Sequence, residues 1–286
     1  MEVGKSYVTY PSKSDRFTVW NLSDLHLGNS AVAEDRLNED VARIAADPYA
    51  LWFGGGDYGE YISVRDRRFD STVIANWIPA TKLGELGRVI TDRVKKVLWP
   101  IRDKCVGLVF GNHEKTYATS QEQKHMHAWL CHEMGVPNLG FSALWDVIFI
   151  RKSRSKPGLC GQRPAKADHS DTSSKRFYIH HGAGAAATHS GKLNRLINFM
   201  HSFRADVYMI GHVHDQTGKR IVEIGADRLC TTLVERVKLG IISGSYLRTY
   251  AEGITSYGEI KGYSPVNLGA SSVVITPMTG EMHAEV

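Results

Sequence analysis

Cysteine is scarce and scattered in this sequence, and long apolar runs are missing. Four widely spaced cysteines, Cys105, Cys131, Cys160 and Cys230, form no C-x-x-C pair, so neither a disulfide framework nor a thiolate zinc site is indicated. No apolar run approaches the roughly 20 residues that span a bilayer. Residues 1–17 contain no apolar stretch typical of a signal peptide. These absences predict a cytoplasmic protein that does not associate with membranes.

Composition indicates a globular protein. With 286 residues and 42% apolar content, the chain can bury a large core as one domain. Lys and Arg exceed Asp and Glu by 35 to 30, giving a net charge of +5. This excess fits an anionic substrate and equally an ordinary solvated surface. The polar, basic stretch at residues 152–175 fits a solvated loop or an arm that contacts nucleic acid.

Apolar periodicity divides the first 214 residues into alternating strands and helices. RFTVWNLSD and YALWFGG predict buried strands on either side of an amphipathic helix, AEDRLNEDVARIAAD. Further strands are predicted at CVGLVF, LWDVIFI, RFYIHH and DVYMIGHVH, and further helices at LGELGRVITDRVKKVLWPI, residues 121–134 and GKLNRLINFMHSF. Such alternation is typical of an α/β core with a mainly parallel sheet.

After residue 214 the pattern changes to short β-like runs such as RIVEIG, TTLVERVKL and SSVVITP. This change predicts that residues 215–286 form a second, more antiparallel sheet that packs on the first. We therefore expect a single domain over residues 1–286, with the motif-bearing core at residues 15–214.

Potential metal ligands follow the ends of five predicted strands. In an extended chain residues i and i+2 point to the same side, so Asp24 and His26 in NLSDLHLG could reach one ion. The other clusters are Asp57 in WFGGGDYGEY, Asn112 and His113 in VFGNHE, His180 and His181 in YIHHG, and His212 and His214 in IGHVH. Ligands of open α/β sheets bind beyond the carboxyl ends of strands, so we expect the clusters to share one crevice. Asp, Asn and His without thiolates suit Mn, Fe or Zn.

In this order, DLH, GD, GNHE, HHG and GHVH resemble the five signature motifs of the calcineurin-like metallophosphoesterase superfamily. The resemblance implies a four-layer α/β/β/α sandwich in which helices flank two packed mixed sheets. It also implies two divalent metal ions at the carboxyl ends of the central strands. The implied ligands are Asp24, His26 and His214 for one ion, Asn112, His180 and His212 for the other, and Asp57 as the bridge between them.

The resemblance further implies phosphoester hydrolysis by a water that the two ions activate. Asn112 and His113 would contact the substrate, and His113 would protonate the leaving oxygen. Several family members carry an Asp three residues after the bridging Asp, where this sequence has Glu60. We therefore expect the Glu60 carboxylate to pair with His113 and favour its protonated form. The D-R-G continuation of protein Ser/Thr phosphatases is missing from GDYGEYISV, which disfavours phosphoprotein substrates.

The sequence is consistent with three functions. A phosphodiesterase is favoured, because SDLHLG resembles the first motif of family nucleases and the basic balance fits a nucleotide or nucleic acid. A phosphomonoesterase or a nucleotide pyrophosphatase would use the same centre. A metal-free interaction scaffold is disfavoured, because all seven ligand positions are present. The sequence does not fix the oligomeric state.

A crevice rim for a nucleobase and its phosphates is a further hypothesis. The candidate residues follow Asp57 in the chain and are Tyr58, Tyr61, Arg65, Arg67 and Arg68.

Overall fold

The computed structural model describes residues 1–62, 64, 66, 69–119, 125–164, 171–184 and 188–286. Its strands are β1 (Glu2–Tyr10), β2 (Phe17–Leu22), β3 (Ala50–Gly54), β4 (Cys105–Leu108), β5 (Ser142–Arg151), β6 (Gly158–Cys160), β7 (Thr172–His180), β8 (Val207–Ile210), β9 (Thr217–Ala226), β10 (Leu233–Ile242), β11 (Ser271–Ile275) and β12 (Met282–Glu285). Its helices are α1 (Glu34–Ala46), α2 (Leu86–Leu98), α3 (Asn112–Thr119), α4 (Met126–Met134), α5 (His189–Ser202) and the single turn α6 (Tyr257–Ile260). Within these ranges, no helix is long and apolar enough to cross a membrane.

Two mixed sheets form the centre of the molecule. The seven-stranded sheet has the order β6-β1-β5-β7-β8-β10-β9, and the five-stranded sheet has the order β12-β11-β2-β3-β4. Strands β2, β3 and β4 are parallel, as are β7, β8 and β10. The predicted mixture of strands and helices is therefore confirmed.

Strand alternation explains how the layers stack. In β3, Leu51 and Phe53 face the other sheet, whereas Ala50 and Trp52 face the helices α1, α2 and α4. On the far side, α5 packs its buried Leu196 on the outer face of the seven-stranded sheet. The layers are thus helices, five strands, seven strands and helix, which confirms the predicted α/β/β/α sandwich.

Helix α1 illustrates why these segments are helical. Its buried residues Leu37, Val41 and Ile44 recur at spacings of four and three, which places them on one face against the sheet. Glu34 and Asp35 occupy the first turn, where carboxylates interact favourably with the helix dipole.

The C-terminal part does not form a sheet of its own, contrary to the sequence prediction. Strands β9 and β10 extend the edge of the sheet that contains β7 and β8, whereas β11 and β12 extend the sheet that contains β2. The change of pattern after residue 214 therefore marks the addition of one antiparallel hairpin to each sheet. The sequence analysis also missed β1, whose first half is mostly exposed and polar.

The carboxyl ends of the central strands of both sheets meet at one edge of the sandwich. There Asn21 Nδ2 of β2 donates a hydrogen bond to the Ile210 carbonyl of β8 across the sheets, at 3.0 Å. In the chain, Asp24, Asp57, Asn112, His181 and His212 each follow the end of one of these strands within a few residues. The loops that carry the motifs therefore lie side by side.

Candidate functional site

Asp24 lies at the centre of the loop contacts. Its Oδ2 accepts hydrogen bonds from Ser23 Oγ at 2.5 Å and from the backbone N–H of His212 at 2.9 Å. Its Oδ1 lies 3.1 Å from Nε2 of His214. Asp24 is fully buried, and burial alone would raise its pKa, but the imidazole of His214 outweighs burial and lowers the pKa to about 2. Asp24 therefore joins the loops after β2 and β8 as a carboxylate.

His26 presents a buried nitrogen without a hydrogen-bond partner. Its Nδ1 contacts the Glu60 carboxylate at 3.0 Å, whereas its Nε2 has no partner among the described residues and lies 4.0 Å from Asp24 Oδ1. Burial lowers the pKa of His26, but the hydrogen bond that His26 donates to Glu60 outweighs burial and raises the pKa to about 9. A carboxylate on one imidazole nitrogen is how metal-binding histidines are commonly oriented.

Glu60 corrects a sequence prediction. The motif predicts that its carboxylate pairs with His113. In the structure the carboxylate contacts His26 instead. His113 instead donates from Nδ1 to the backbone carbonyl of Glu60. The reason is local: Leu27 forms an isolated β-bridge with Gly59, and Glu60 N donates to the Leu27 carbonyl at 2.9 Å. This pairing places the Glu60 side chain beside His26, the residue that precedes Leu27.

His113 lies between the two halves of the site. Its backbone N–H donates to Asp57 Oδ1 at 2.9 Å, and its Nε2 lies 4.0 Å from Asp57 Oδ2. Its ring contacts the His26 ring edge-on at a centroid distance of 4.8 Å. Because Nδ1 is held by a carbonyl, Nε2 is the nitrogen left to contact a ligand.

Asp57 is a buried carboxylate that touches a second histidine. Its Oδ2 lies 3.2 Å from Nε2 of His181. Burial would raise the pKa of Asp57, but this imidazole outweighs burial and lowers the pKa well below the usual value. In turn, burial would lower the pKa of His181, and Asp57 raises it to about 10. The pair is therefore a buried ion pair when no cation is bound.

Glu114 is a residue of the site that was not predicted from the sequence. Its buried carboxylate accepts hydrogen bonds from the backbone N–H groups of Asp57, Tyr58 and Gly111 at 3.0, 2.7 and 2.7 Å. It therefore ties the loop after β3 to the loop after β4. The sequence feature that could have identified it is the final Glu of GNHE, because this acidic residue lies in the first turn of the helix that follows a buried strand.

The structure favours His181 over His180 as the predicted ligand of the HHG motif. His181 is fully buried, and its Nε2 lies 3.0 Å from Asn112 Oδ1 while its Nδ1 contacts the Gly55 carbonyl at 2.8 Å. His180 accepts a hydrogen bond from Gly182 N at Nδ1 and packs its ring on aromatic side chains. His181, and not the predicted ligand His180, therefore lies beside Asp57, Asn112 and His212.

The alternation of side chains along β7 explains why His181, and not His180, lies beside Asp57. Tyr178 and His180 point to the same face of the strand, and both rings contact Phe199 of α5. Ile179 faces the other sheet. His181 is the first residue after the strand and turns to the edge where the two sheets meet.

Five of the predicted ligands adopt left-handed backbone conformations. Their φ angles are 57° for Asp24, 48° for His26, 52° for Asp57, 68° for His212 and 48° for His214. Such conformations cost on the order of 1–3 kcal/mol each and cluster at functional sites. They also replace the extended geometry expected for the D-x-H and H-x-H pairs, because the side chains converge through backbone turns.

Three groups of side chains each gather their ligand atoms within 4.8 Å of one another. The groups are Asp24, His26 and His214; His26, Glu60 and His113; and Asp57, His181 and His212. Asn112 joins the third group through its contact with His181. The orphaned Nε2 of His26 and this mixture of carboxylate and imidazole donors fit divalent cations of the Mn, Fe or Zn type.

The predicted aromatic rim is not formed by the tyrosines. Tyr58 and Tyr61 are buried, and their hydroxyl groups contact the Val109 carbonyl and Thr91 Oγ1 at 2.7 and 3.0 Å. Neither ring is free to stack on a base. The predicted phosphate contacts Arg65, Arg67 and Arg68 lie outside the described residues.

Comparisons with known proteins reach only distant likenesses. No protein-family model matches the sequence, and no curated protein matches it. Among solved structures, a predicted phosphoesterase from Streptococcus pneumoniae is 11% identical over 91% of this chain and 84% of that one, with a TM-score of 0.31. Vps29 from Chaetomium thermophilum is 10% identical over 94% and 95%, with a TM-score of 0.36. A metallophosphoesterase from Sphaerobacter thermophilus is 13% identical over 94% and 87%, with a TM-score of 0.35. At such low similarity, the function has to be inferred from the side chains of the site.

Proposed function

We propose that this protein is a metal-dependent phosphoesterase. One observation carries the proposal: carboxylate and imidazole ligands from five loops converge at one edge, and the buried Nε2 of His26 among them has no partner in the described part of the chain. A buried imidazole nitrogen without a hydrogen-bond partner is costly, and the left-handed backbones add strain. A bound cation would coordinate the lone pair of His26 Nε2, and the binding free energy would offset the strain.

Two divalent ions fit the ligand groups. Asp24, His26 and His214 would hold one ion, and His181, His212 and Asn112 would hold the other. The carboxylate of Asp57 would lie between them, because it contacts His181 and also lies close to His113, whose ring touches His26. When bound, the ions would acidify a water molecule and neutralise charge that develops on the phosphoryl oxygens.

Residues of the chain would complete the reaction. His113 is proposed to protonate the leaving oxygen from Nε2, because its Nδ1 is held by the Glu60 carbonyl and its ring cannot turn away. The Asn112 side chain is proposed to contact the phosphoryl group as well as an ion. Glu60 and Glu114 would act through other residues, since they orient His26 and the Asp57 loop.

Within this class we favour a phosphodiesterase acting on a nucleotide or nucleic acid. The SDLHLG motif and the net charge of +5 support this choice. A phosphomonoesterase or a nucleotide pyrophosphatase is the alternative reaction at the same centre. A non-enzymatic scaffold is disfavoured by the orphaned imidazole nitrogen and the strained ligand backbones, which a purely structural edge would not need.

A substrate panel tests the proposal. Metal-stripped protein would be reconstituted with Mn and assayed on a phosphodiester, a phosphomonoester, a nucleoside diphosphate sugar, and single- and double-stranded DNA. We expect the highest kcat/KM on a diester and no turnover with chelator present. An Asp57→Asn variant is the matched control, because it keeps the shape of the side chain but loses its charge. Metal-loaded protein that is inactive on the whole panel would favour the scaffold.

A further inference from the structure

Strands β9 and β10 form a ribbon at the edge of the seven-stranded sheet. β8 pairs only with the last four residues of β10, from Leu239 to Ile242, whereas β9 pairs with all ten. No other described strand pairs with residues 233–238 or with the outer edge of β9. Half of the ribbon therefore extends beyond the sheet as a two-stranded hairpin.

This ribbon exposes aliphatic side chains. Val222 is 47% exposed, Ile224 is 68% exposed and Leu233 is 82% exposed. All three point to the face that, nearer the base of the ribbon, packs against the other sheet through Val237 and Leu239. A two-stranded hairpin is marginally stable alone in water, and it needs a third strand or a packing partner.

The outer edge of β9 also offers unpaired backbone groups over ten residues. Natural edge strands usually avoid association by being short or by carrying proline, bulges or central charges. β9 is long and contains no proline, and the charges near its centre, Lys219, Arg220 and Glu223, include both signs, so they can pair across an interface rather than repel. The strand is therefore suited to pair with another strand.

The charges of β9 identify that strand as a second β9. Lys219, Ile221 and Glu223 lie on one face at positions symmetric about Ile221. If two copies pair antiparallel about a two-fold axis at Ile221, Lys219 of each copy lies opposite Glu223 of the other. Lys219 is exposed, and Glu223 keeps a half-exposed side chain beside Lys238.

We propose that this chain forms a symmetric dimer through antiparallel pairing of β9 with β9 of a second copy. The two seven-stranded sheets would become one continuous sheet. On the other face, Val222 would lie opposite Arg220 of the second copy and diagonal to its Val222. Ile224 would lie opposite Gly218 of the second copy, on the face where Gly218 packs against Ala284 and Val286. The free backbone edge of β9 would thereby be paired.

Charge reversal tests the register. Sedimentation of the wild-type chain, with and without bound metal, should give a dimer. Lys219→Glu would place like charges together twice and should raise the dissociation constant about tenfold or more. The double variant Lys219→Glu/Glu223→Lys restores opposite charges across the interface and should dimerise more tightly than either single variant, with Glu223→Lys alone reporting the loss of the ion pair with Lys238. Lys13→Glu, which changes another exposed lysine far along the chain, is the matched control.

Each outcome decides the question. Circular dichroism and thermal unfolding would verify that every variant is folded. A monomeric wild type at high protein concentration would overturn the proposal, as would a Lys219→Glu variant that dimerises as tightly as the control. A dimer that Lys219→Glu weakens but the double variant does not restore would refute the Ile221-centred register. None of these results depends on phosphoesterase activity.

Discussion

Replacing His181 by alanine should remove one metal site, whereas the same change at its neighbour His180 should leave both sites. The two residues are the same type, adjacent in the chain and both largely buried, so each variant is the matched control for the other. His181 contacts Asp57, Asn112 and the Gly55 carbonyl. His180 contacts the Gly182 N–H and aromatic rings.

The size of each effect follows from these contacts. Without His181, the buried Asp57 carboxylate loses its partner at 3.2 Å, which costs on the order of 3–5 kcal/mol in metal-free protein. Without His180, the protein loses ring packing and one hydrogen bond, which costs about 1–3 kcal/mol. Metal affinity should separate the variants further. Loss of His181 should lower the affinity for one ion by more than about 10–100-fold, which is the loss expected when a residue that only orients a ligand is removed.

Metal titration by calorimetry, followed by elemental analysis after dialysis, would measure this contrast. We expect one tightly bound ion per chain for His181→Ala and two for His180→Ala. Urea unfolding of the metal-stripped variants would test the stability difference. Two ions in His181→Ala together with one in His180→Ala would refute the assignment of His181 as a ligand and would support His180 instead.

Further predictions concern the residues around the ligands. Glu60→Gln should weaken metal binding about 10–100-fold, because Glu60 orients His26. At a fixed metal concentration, turnover should fall by the same factor for substrates with good and poor leaving groups; an unchanged metal affinity would contradict this role. His113→Ala should keep two ions but lower kcat about 10²–10⁴-fold, less for nitrophenolate esters; loss of metal would contradict a proton-donor role. Glu114→Gln should lower stability by about 1–3 kcal/mol in urea unfolding, because an amide cannot accept all three N–H groups; an unchanged midpoint would refute the tie between loops. In metal-stripped protein, the stabilisation from His26 and His181, with pKa values of about 9 and 10, is complete below their unfolded pKa of about 6.5 and is lost as the pH rises through 9 and 10, so the melting temperature should fall over that range. A flat profile would contradict the pairing.

Local patterns predicted the layers of the fold because burial on both faces leaves a clear signal. The run ALWFG is apolar at every position, and Trp52 and Phe53 are buried on opposite faces of β3. β1 carried no such signal, because its first half is polar and its pairing with β5 joins residues about 140 positions apart. Long-range pairing of this kind is not encoded in a short window of sequence.

The site was predicted at the level of motifs but not of individual contacts. Counting parity along β7 would have distinguished His180 from His181, since Tyr178 and His180 share a face. The partner of Glu60 depends on the bridge between Leu27 and Gly59, which joins two loops and has no periodic signal. The left-handed backbone at Asp24 was equally hidden, because Asp adopts that conformation more often than most residues but only in particular loops, which a short window of sequence does not identify.

Titration of Mn into metal-stripped protein, with hydrolysis of a nitrophenyl phosphodiester followed in parallel, tests the central claim most directly. Two ions should bind per chain, activity should rise with occupancy and level off at two, and Asp57→Asn should impair both binding and turnover. Hydrolysis that persists at full rate in the presence of chelator, or a chain that binds no divalent ion, would contradict a dinuclear phosphoesterase at these residues.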